Sequence, residues 1–537
     1  MSIGETTPGQ AAPGQQSGDR RRPSRDSLIL AIACVGQFMV VLDVSIVTVA
    51  LPSIGRDLHY TASGLQWVVN AYVLTFAGFL LLGGRAADLF GRRRVYLFGM
   101  GLFTLASLAG GLATDAAWLT AARAVQGVAG ACLSPATLTI IVTTFSGDRR
   151  TRALGIWSAV AGAGGAAGAI LGGVLTSALG WRWVLFVNIP IGVAATAAAL
   201  AWLPESRGHQ GAGQPRSRLD VAGAVAVTAG LGTLVYAIVG TETHPWGSVT
   251  TLSLLGVAAV LLAGFAIIEL RLASAPLMRF SLFRSRSVSG ANLVMFLVGA
   301  AFFSMWYFLS LYLQNVLGFS ALKTGLAFLP MGITIIIGAQ ASSRILPRTG
   351  VRPLLLTGTV VAAGGFAWLS AIGPHSSYWT HVFGPGCLIA LALGLLFTPL
   401  AAAATTGVAF TDAGLASGVL NTSRQIGGSL GLAVLATIAT DRAHAALAAS
   451  HGGTSVTAAL NAGYSRAFVV AAGLSIASAL AAFIVPAIRG RVNTRRPTGD
   501  LPRCGRTPSV RSWAYRRISI VSRTTGALSQ TEGRSDD

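Results

Sequence analysis

Apolar stretches long enough to cross the roughly 30 Å hydrocarbon core of a bilayer as helices follow one another from about residue 27 to residue 486, separated by short polar or charged links. The windows fall near 27–51, 66–82, 94–113, 118–144, 153–177, 182–202 and 220–240, and then near 251–270, 288–314, 324–343, 353–372, 383–404, 416–437 and 466–486. The pattern predicts an all-α polytopic membrane protein with fourteen transmembrane helices. An even number of crossings places both termini on the same side.

Composition agrees: 53% of the 537 residues are hydrophobic and 11% charged, against about 25% charged in a soluble chain. The net charge of +21 raises nucleic-acid binding as an alternative. Every basic residue except Lys323 is Arg, however, and the basic residues sit in the links between apolar runs. That placement is membrane topology, so the expected partner is the lipid bilayer and not nucleic acid. With the termini inside, external loops carry only Arg56, Arg182, Lys323, Arg442 and Arg466, while Arg123 and Arg424 lie within spans and the other basic residues fall on the cytoplasmic side. This is the positive-inside asymmetry, and it predicts a multi-pass protein of the cell membrane. The first apolar run is too long for a signal peptide and lacks its cleavage site, so it is expected to stay as the first span. Cys34, Cys132, Cys387 and Cys504 have neither paired nor metal-like spacing, and no metal or cofactor is expected.

A faint internal repeat divides the chain. GRAADLFGRRR (84–94) follows the second span and SRILPRTGVRP (343–353) follows the tenth, with Gly91 and Gly350 in register and Pro347 where Asp88 stood. Repeated bundles around a midplane site are common in transporters. The expected domains are a cytoplasmic tail (1–26), a six-helix bundle (27–202), a linker with two extra helices (203–287), a second six-helix bundle (288–486) and a basic, disordered cytoplasmic tail (487–537).

Three ionisable side chains lie well inside spans: Asp43, Arg123 and Arg424. Each costs about 2.5–3.5 kcal/mol at mid-membrane when exposed to lipid, so each should face the bundle interior. Asp43 and Arg123 lie about 12 and 8 Å from the outer ends of their spans at 1.5 Å per residue, so they can pair. A carboxylate alternating between an Arg partner and a desolvated state suits proton coupling; a purely structural ion pair is the plainer alternative. In the 84–94 link, Gly84 and Gly91 allow tight turns, and Asp88 can join Arg92 in a cytoplasmic lock between bundles, where simple anchoring by Arg92, Arg93 and Arg94 is the alternative. Gly164, Gly168 and Gly172 fall on one face of the fifth span, with Gly173 beside them, and let a neighbouring helix approach closely. Asn70, Gln126, Arg424 and Gln425 are the polar candidates for lining a cavity.

These residues carry a resemblance. LDVSIVTVALP from Leu42, the 84–94 loop, RAVQG from Arg123, the Gly-rich fifth span and WRWVLFVNIPIG from Trp181 resemble the fourteen-helix drug:proton antiporters of the major facilitator superfamily. YLQNVLGFSALKTGLAFLP from Tyr312 and GLASGVLNTSRQIGGSLG from Gly414 extend the likeness over about residues 27–486. The resemblance implies two six-helix bundles plus two central helices, alternating access and export of drugs or antibiotics. Asp43 and Arg123 would lie in the coupling region, Asp88 and Arg92 in the gating loop, and Gly164, Gly168, Gly172 and Gly173 at the bundle interface. One departure is Ala169, where the family's fifth-span motif usually has Pro. The partners implied are a small amphiphilic substrate and protons, handled by a monomer. A nutrient symporter shares the fold and is the first alternative; a membrane-embedded enzyme would need a convergent catalytic set, and no catalytic residue is nominated. Because Asp43 is the one mid-span carboxylate, the preferred cargo is expected to be an amphiphilic neutral, monocationic or weakly anionic compound, with dicationic compounds poor cargo.

Overall fold

The computed structural model describes residues 25–61, 64–205, 219–273, 276–408, 413–449 and 455–487. Most of both expected tails, including Cys504, and positions 206–218 of the linker lie outside the described residues. Fourteen helices are long and apolar enough to cross a membrane. They are α1 (Arg25–Asp57), α2 (Gly64–Phe90), α3 (Arg92–Gly111), α4 (Ala116–Thr144), α5 (Gly147–Ala178), α6 (Trp183–Trp202), α7 (Val221–Val239), α8 (Val249–Leu272), α9 (Arg286–Val316), α10 (Ala321–Thr349), α11 (Val351–Leu369), α12 (Trp379–Thr405), α13 (Gly414–Ala449) and α14 (Val456–Ala482). No strand occurs among the described residues.

Several helices overrun their apolar windows. Arg56, Arg442 and Arg466, expected in external loops, lie in α1, α13 and α14. A helix satisfies its own backbone polar groups in water as well as in lipid, so it continues past the point where the side chains stop being apolar. Hydropathy marks the lipid boundary and not the end of the helix.

The same contacts occur twice. In α1–α6, α2 packs on α4, α1 on α5 and α6, and α3 on α4 and α6; in α9–α14, α10 packs on α12, α9 on α13 and α14, and α11 on α12 and α14. The bundles meet through α5 with α10 and α2 with α13, which are equivalent pairs under that repeat. The helices α7 and α8 pack on each other, and α7 leans on α2 and α13. Leu105, Val260, Ile333, Val360 and Leu480 are more than half exposed, an apolar exterior suited to lipid. Exposed Trp118, Trp183, Trp202, Trp368 and Trp379 stand at helix ends, where amphipathic rings meet the headgroups.

The α2–α3 junction is one residue long. Gly91 has φ +103°, a backbone that side-chain-bearing residues rarely adopt, and a Cβ there would strike the Glu205 carboxylate. Gly350, its counterpart between α10 and α11, has φ +83°.

Candidate functional site

Two features stand side by side in the middle of the molecule: a sealed polar cluster within the first bundle and an aromatic cavity between the bundles. The cluster is built around Asp43 on α1, which has no solvent exposure. Arg123 Nη1 donates to Asp43 Oδ2, while Gln126 Nε2 and Asn188 Nδ2 donate to Oδ1 at 3.1 and 3.0 Å. Ser107 Oγ accepts from the same two amides at 2.7 and 3.3 Å. Three helices, α1, α4 and α6, thus meet at one carboxylate, and Ser107 of α3 backs the two amides.

The local sequence explains how Arg123 is aimed. A Cβ on Gly127 would run into the Tyr72 carbonyl and Thr75 Oγ1, so glycine one turn along α4 lets that helix close on α2. Thr75 Oγ1 then donates to Ala124 O at 2.8 Å and Arg123 Nε to Val68 O at 3.0 Å. The guanidinium lies 4.5 Å from the centre of the Tyr72 ring, a cation–π geometry. Isolated, such a buried charge is costly; paired and fully hydrogen-bonded it is tolerated.

The cavity measures about 510 Å³. Its walls carry Phe302, Phe303, Trp306, Phe328 and Phe397 from the second bundle, and Tyr72, Phe76, Gln37 and Ser134 from the first. Tyr72 therefore lines the cavity while stacked on Arg123, the partner of Asp43, and Asp43 itself does not line it. On the far wall, Arg424 and Gln425 of α13 line the space.

The structure places the expected site residues as follows. Asp43, Arg123 and Gln126 come together, but Gln126 belongs to the sealed cluster and not to the cavity wall. Asn70 is also displaced from its expected place: it accepts from Ser429 Oγ across the bundle boundary at 3.0 Å and donates to Gln66 Oε1 at 3.3 Å. Arg424 and Gln425 do line the cavity. Gly84, expected in a turn, lies inside α2, because the helix runs on to Phe90. Asp88 is also helical, and its carboxylate lies 3.7 Å from Arg92, a contact within the first bundle. Arg93 and Arg94 reach Leu200 O at 2.7 Å and Glu205 at 3.5 Å, so they bind this link to the end of α6.

The fifth-span glycines divide between two partners. Added Cβ atoms on Gly164, Gly168 and Gly172 would meet Phe38 O at 3.1 Å, Ser45 Cβ at 2.7 Å and Ile46 O at 2.7 Å, all on α1 of the same bundle. Gly173 alone of the four faces the second bundle, where a Cβ would lie 2.7 Å from Ala321 O. The expectation that all four line the bundle interface is corrected: α1 is the near neighbour of the glycines spaced by four, and the interface lies a step around the helix. Ser107, Asn188 and Tyr72 were not singled out. Asn188 carried the one usable signal, a lone amide inside the apolar WRWVLFVNIPIG, whereas nothing in sequence distinguishes Ser107 from a surface serine.

Residues 33–432 match the family model of the Major Facilitator Superfamily. The chain belongs to that superfamily. The transporter is 42% identical to the cephamycin export protein CmcT of Amycolatopsis lactamdurans over 88% of this chain and 95% of that one. It is 39% identical to the puromycin resistance protein pur8 of Streptomyces alboniger over 88% and 93%. In fold it is similar to an inward-facing bacterial homolog of the human lysosomal transporter Spinster, at a TM-score of 0.61 and 16% identity over 86% of this chain and 97% of that one. It is a multi-pass protein of the plasma membrane and carries small substrates.

Proposed function

We propose that the transporter exports drugs or antibiotics in exchange for protons, by alternating access. The observation that carries the reading is a sealed Asp43 carboxylate joined through Arg123 to Tyr72, which itself lines an aromatic cavity between two repeated bundles. Export of antibiotics is taken from the names of the two relatives, and proton exchange from the Asp43 cluster and the family. No reaction is catalysed in this reading, and a single chain without cofactors suffices.

With both termini cytoplasmic, the end of the molecule at the α1–α2 link is external. Ser310 donates to Thr48 O at 2.9 Å, Gln314 to Val49 O at 2.9 Å, and Leu322 N to Ser177 Oγ at 3.2 Å. These bonds cross between bundles at that end and hold it closed. Cargo entering from the cytoplasm occupies the aromatic cavity. After the bundles rock open outward, a proton reaching Asp43 neutralises the partner of Arg123 and disfavours the cargo-bound arrangement. The proton then leaves to the cytoplasm when the bundles rock back. Tyr72, touching both the cavity and Arg123, is the physical link.

The test is uptake of puromycin and cephamycin into inverted membrane vesicles with an acid interior. The reading expects accumulation that a protonophore abolishes; accumulation that outlasts the collapsed gradient would overturn it. An Asp43 acting only structurally would instead show normal coupling in a well-inserted Asp43→Asn variant.

A further inference from the structure

The second half of the cavity wall holds a cation, Arg424, that has no counter-charge among the described residues. Between Arg286 and Ala487 the chain carries only two acidic residues, Asp412 and Asp441. Asp441 is exposed near the far end of α13, about 25 Å along the helix from Arg424 at 1.5 Å per residue. None of the residues lining the cavity is acidic, and Asp43 is sealed with its three donors in place. Arg424 donates from Nη2 to Asn421 Oδ1 at 2.8 Å, and its guanidinium lies 5.8 Å from the Phe397 ring. Both contacts are to neutral groups.

Two independent observations support a prepared surface. First, α13 is pressed onto α9 where Arg424 leaves the helix: Cβ atoms on Gly299 and Gly427 would strike the backbone of Arg424 and Phe296, which fixes the base of that side chain at the wall. Second, the adjoining Gln425 is 5% exposed, and its Oε1 is buried without a hydrogen-bond partner. Buried polar atoms are normally satisfied, so an acceptor left free beside a cavity is an acceptor waiting for a donor.

We propose that the preferred cargo is an amphiphilic monoanion: a compact oxyanion, a carboxylate in the first instance, docks on Arg424, a nearby N–H or O–H donates to Gln425 Oε1, and an aromatic body lies against Trp306 and Phe328. The planar guanidinium fork matches a carboxylate in two parallel bonds. In the aromatic cavity the oxyanion is the missing charge, whereas a cation would meet Arg424 with repulsion. This rests on the export reading and names its substrate class. It also fixes the electrical character of transport. At any fixed number of protons per turnover, export of a monoanion carries one more positive charge inward than export of a neutral compound, and two more than export of a monocation.

The experiment uses purified full-length transporter in lipid nanodiscs and three fluorescent probes that share one aromatic group: dansyl-phenylalanine, its neutral primary amide, and the cation dansylcadaverine. The expected result is binding of the carboxylate at least tenfold tighter than the amide or the cation. Arg424→Gln removes that preference, Arg424→Lys keeps part of it because the charge stays and the fork is lost, and Gln425→Leu weakens the acid and the amide alike. In proteoliposomes, inside-negative potential in the cell-like orientation accelerates carboxylate export more than amide export. Equal or weaker carboxylate binding by the wild-type protein overturns the inference, as does a preference that survives in Arg424→Gln. If Arg424→Gln fails to insert, the wild-type ranking and Arg424→Lys decide the matter, since full preference in the Lys variant would contradict bidentate docking. Gradient-driven movement of the amide or cation without a carboxylate preference overturns this inference and leaves the export reading standing; no gradient-driven movement of any probe overturns both.

Discussion

Asp43 accepts from three side chains and sees no solvent, so substitution can separate its charge from its shape. Asp43→Asn keeps the size but removes the charge, leaving Arg123 without its anion as protonation of Asp43 would. It is expected to insert and bind cargo while gradient-driven uptake in inverted vesicles falls to the protonophore-treated level. Arg123→Ala does something different, since it leaves a buried carboxylate without its cation. Breaking such a pair costs about 3–5 kcal/mol, and a large drop in melting temperature, with poor yield of inserted protein, is the expected measurement. The cluster was partly legible in sequence. Asp43 and Arg123 stood out because ionised groups in lipid need a reason, and span depth allowed them to meet. Gln126 and Asn70 were mislocated because residue type says that a group is polar but not which way its helix turns it. Asn188 reaches Asp43 only because α6 packs on α1, and Ser107 joins the cluster only because α3 packs on α6, which is tertiary information.

At the scale of the element, α5 shows what a glycine stripe does. Its glycines spaced by four pack on α1, and Ser45 Oγ donates to Gly165 O at 2.6 Å across that contact. That carbonyl is the one a proline at position 169 would strip of its helical donor. Ala169→Pro is therefore expected to cost less than the roughly 3 kcal/mol of an ordinary mid-helix proline, and adding Ser45→Ala should be more damaging than the separate effects combined. Thermal melts of the four proteins of that double-mutant cycle measure the coupling; strict additivity would show that Ser45 gives the freed carbonyl nothing. Gly173→Val acts on the other partner. It wedges α5 from α10 at Ala321 and Leu322, and is expected to increase labelling of a cysteine introduced at Thr48 by an external thiol reagent. The small-residue face was plain in sequence, but its partner was not, because a spacing of four marks a face without saying what lies opposite.

Across the whole molecule, the repeat seen faintly in the links at 84–94 and 343–353 reappears as two bundles with matching helix contacts and two single-glycine junctions. The fourteen helices were readable because apolar length is a strong signal, and the junction glycines because φ near +90° excludes other residues. The cavity was not readable, since its aromatic walls look like any core. The positive-inside distribution predicts both termini in the cytoplasm. A reporter fused after residue 487 that is active only outside the membrane would reverse that orientation and, with it, the assignment of the hydrogen-bonded end as external. The central claim is exchange of cargo for protons through Asp43. It is tested most directly by following a ΔpH-sensitive dye in acid-loaded inverted vesicles as an exported compound is added. The account predicts that wild-type vesicles release protons in step with compound uptake and that Asp43→Asn vesicles do neither. Compound uptake by wild-type vesicles with no release of protons, or unchanged release in Asp43→Asn, would contradict it.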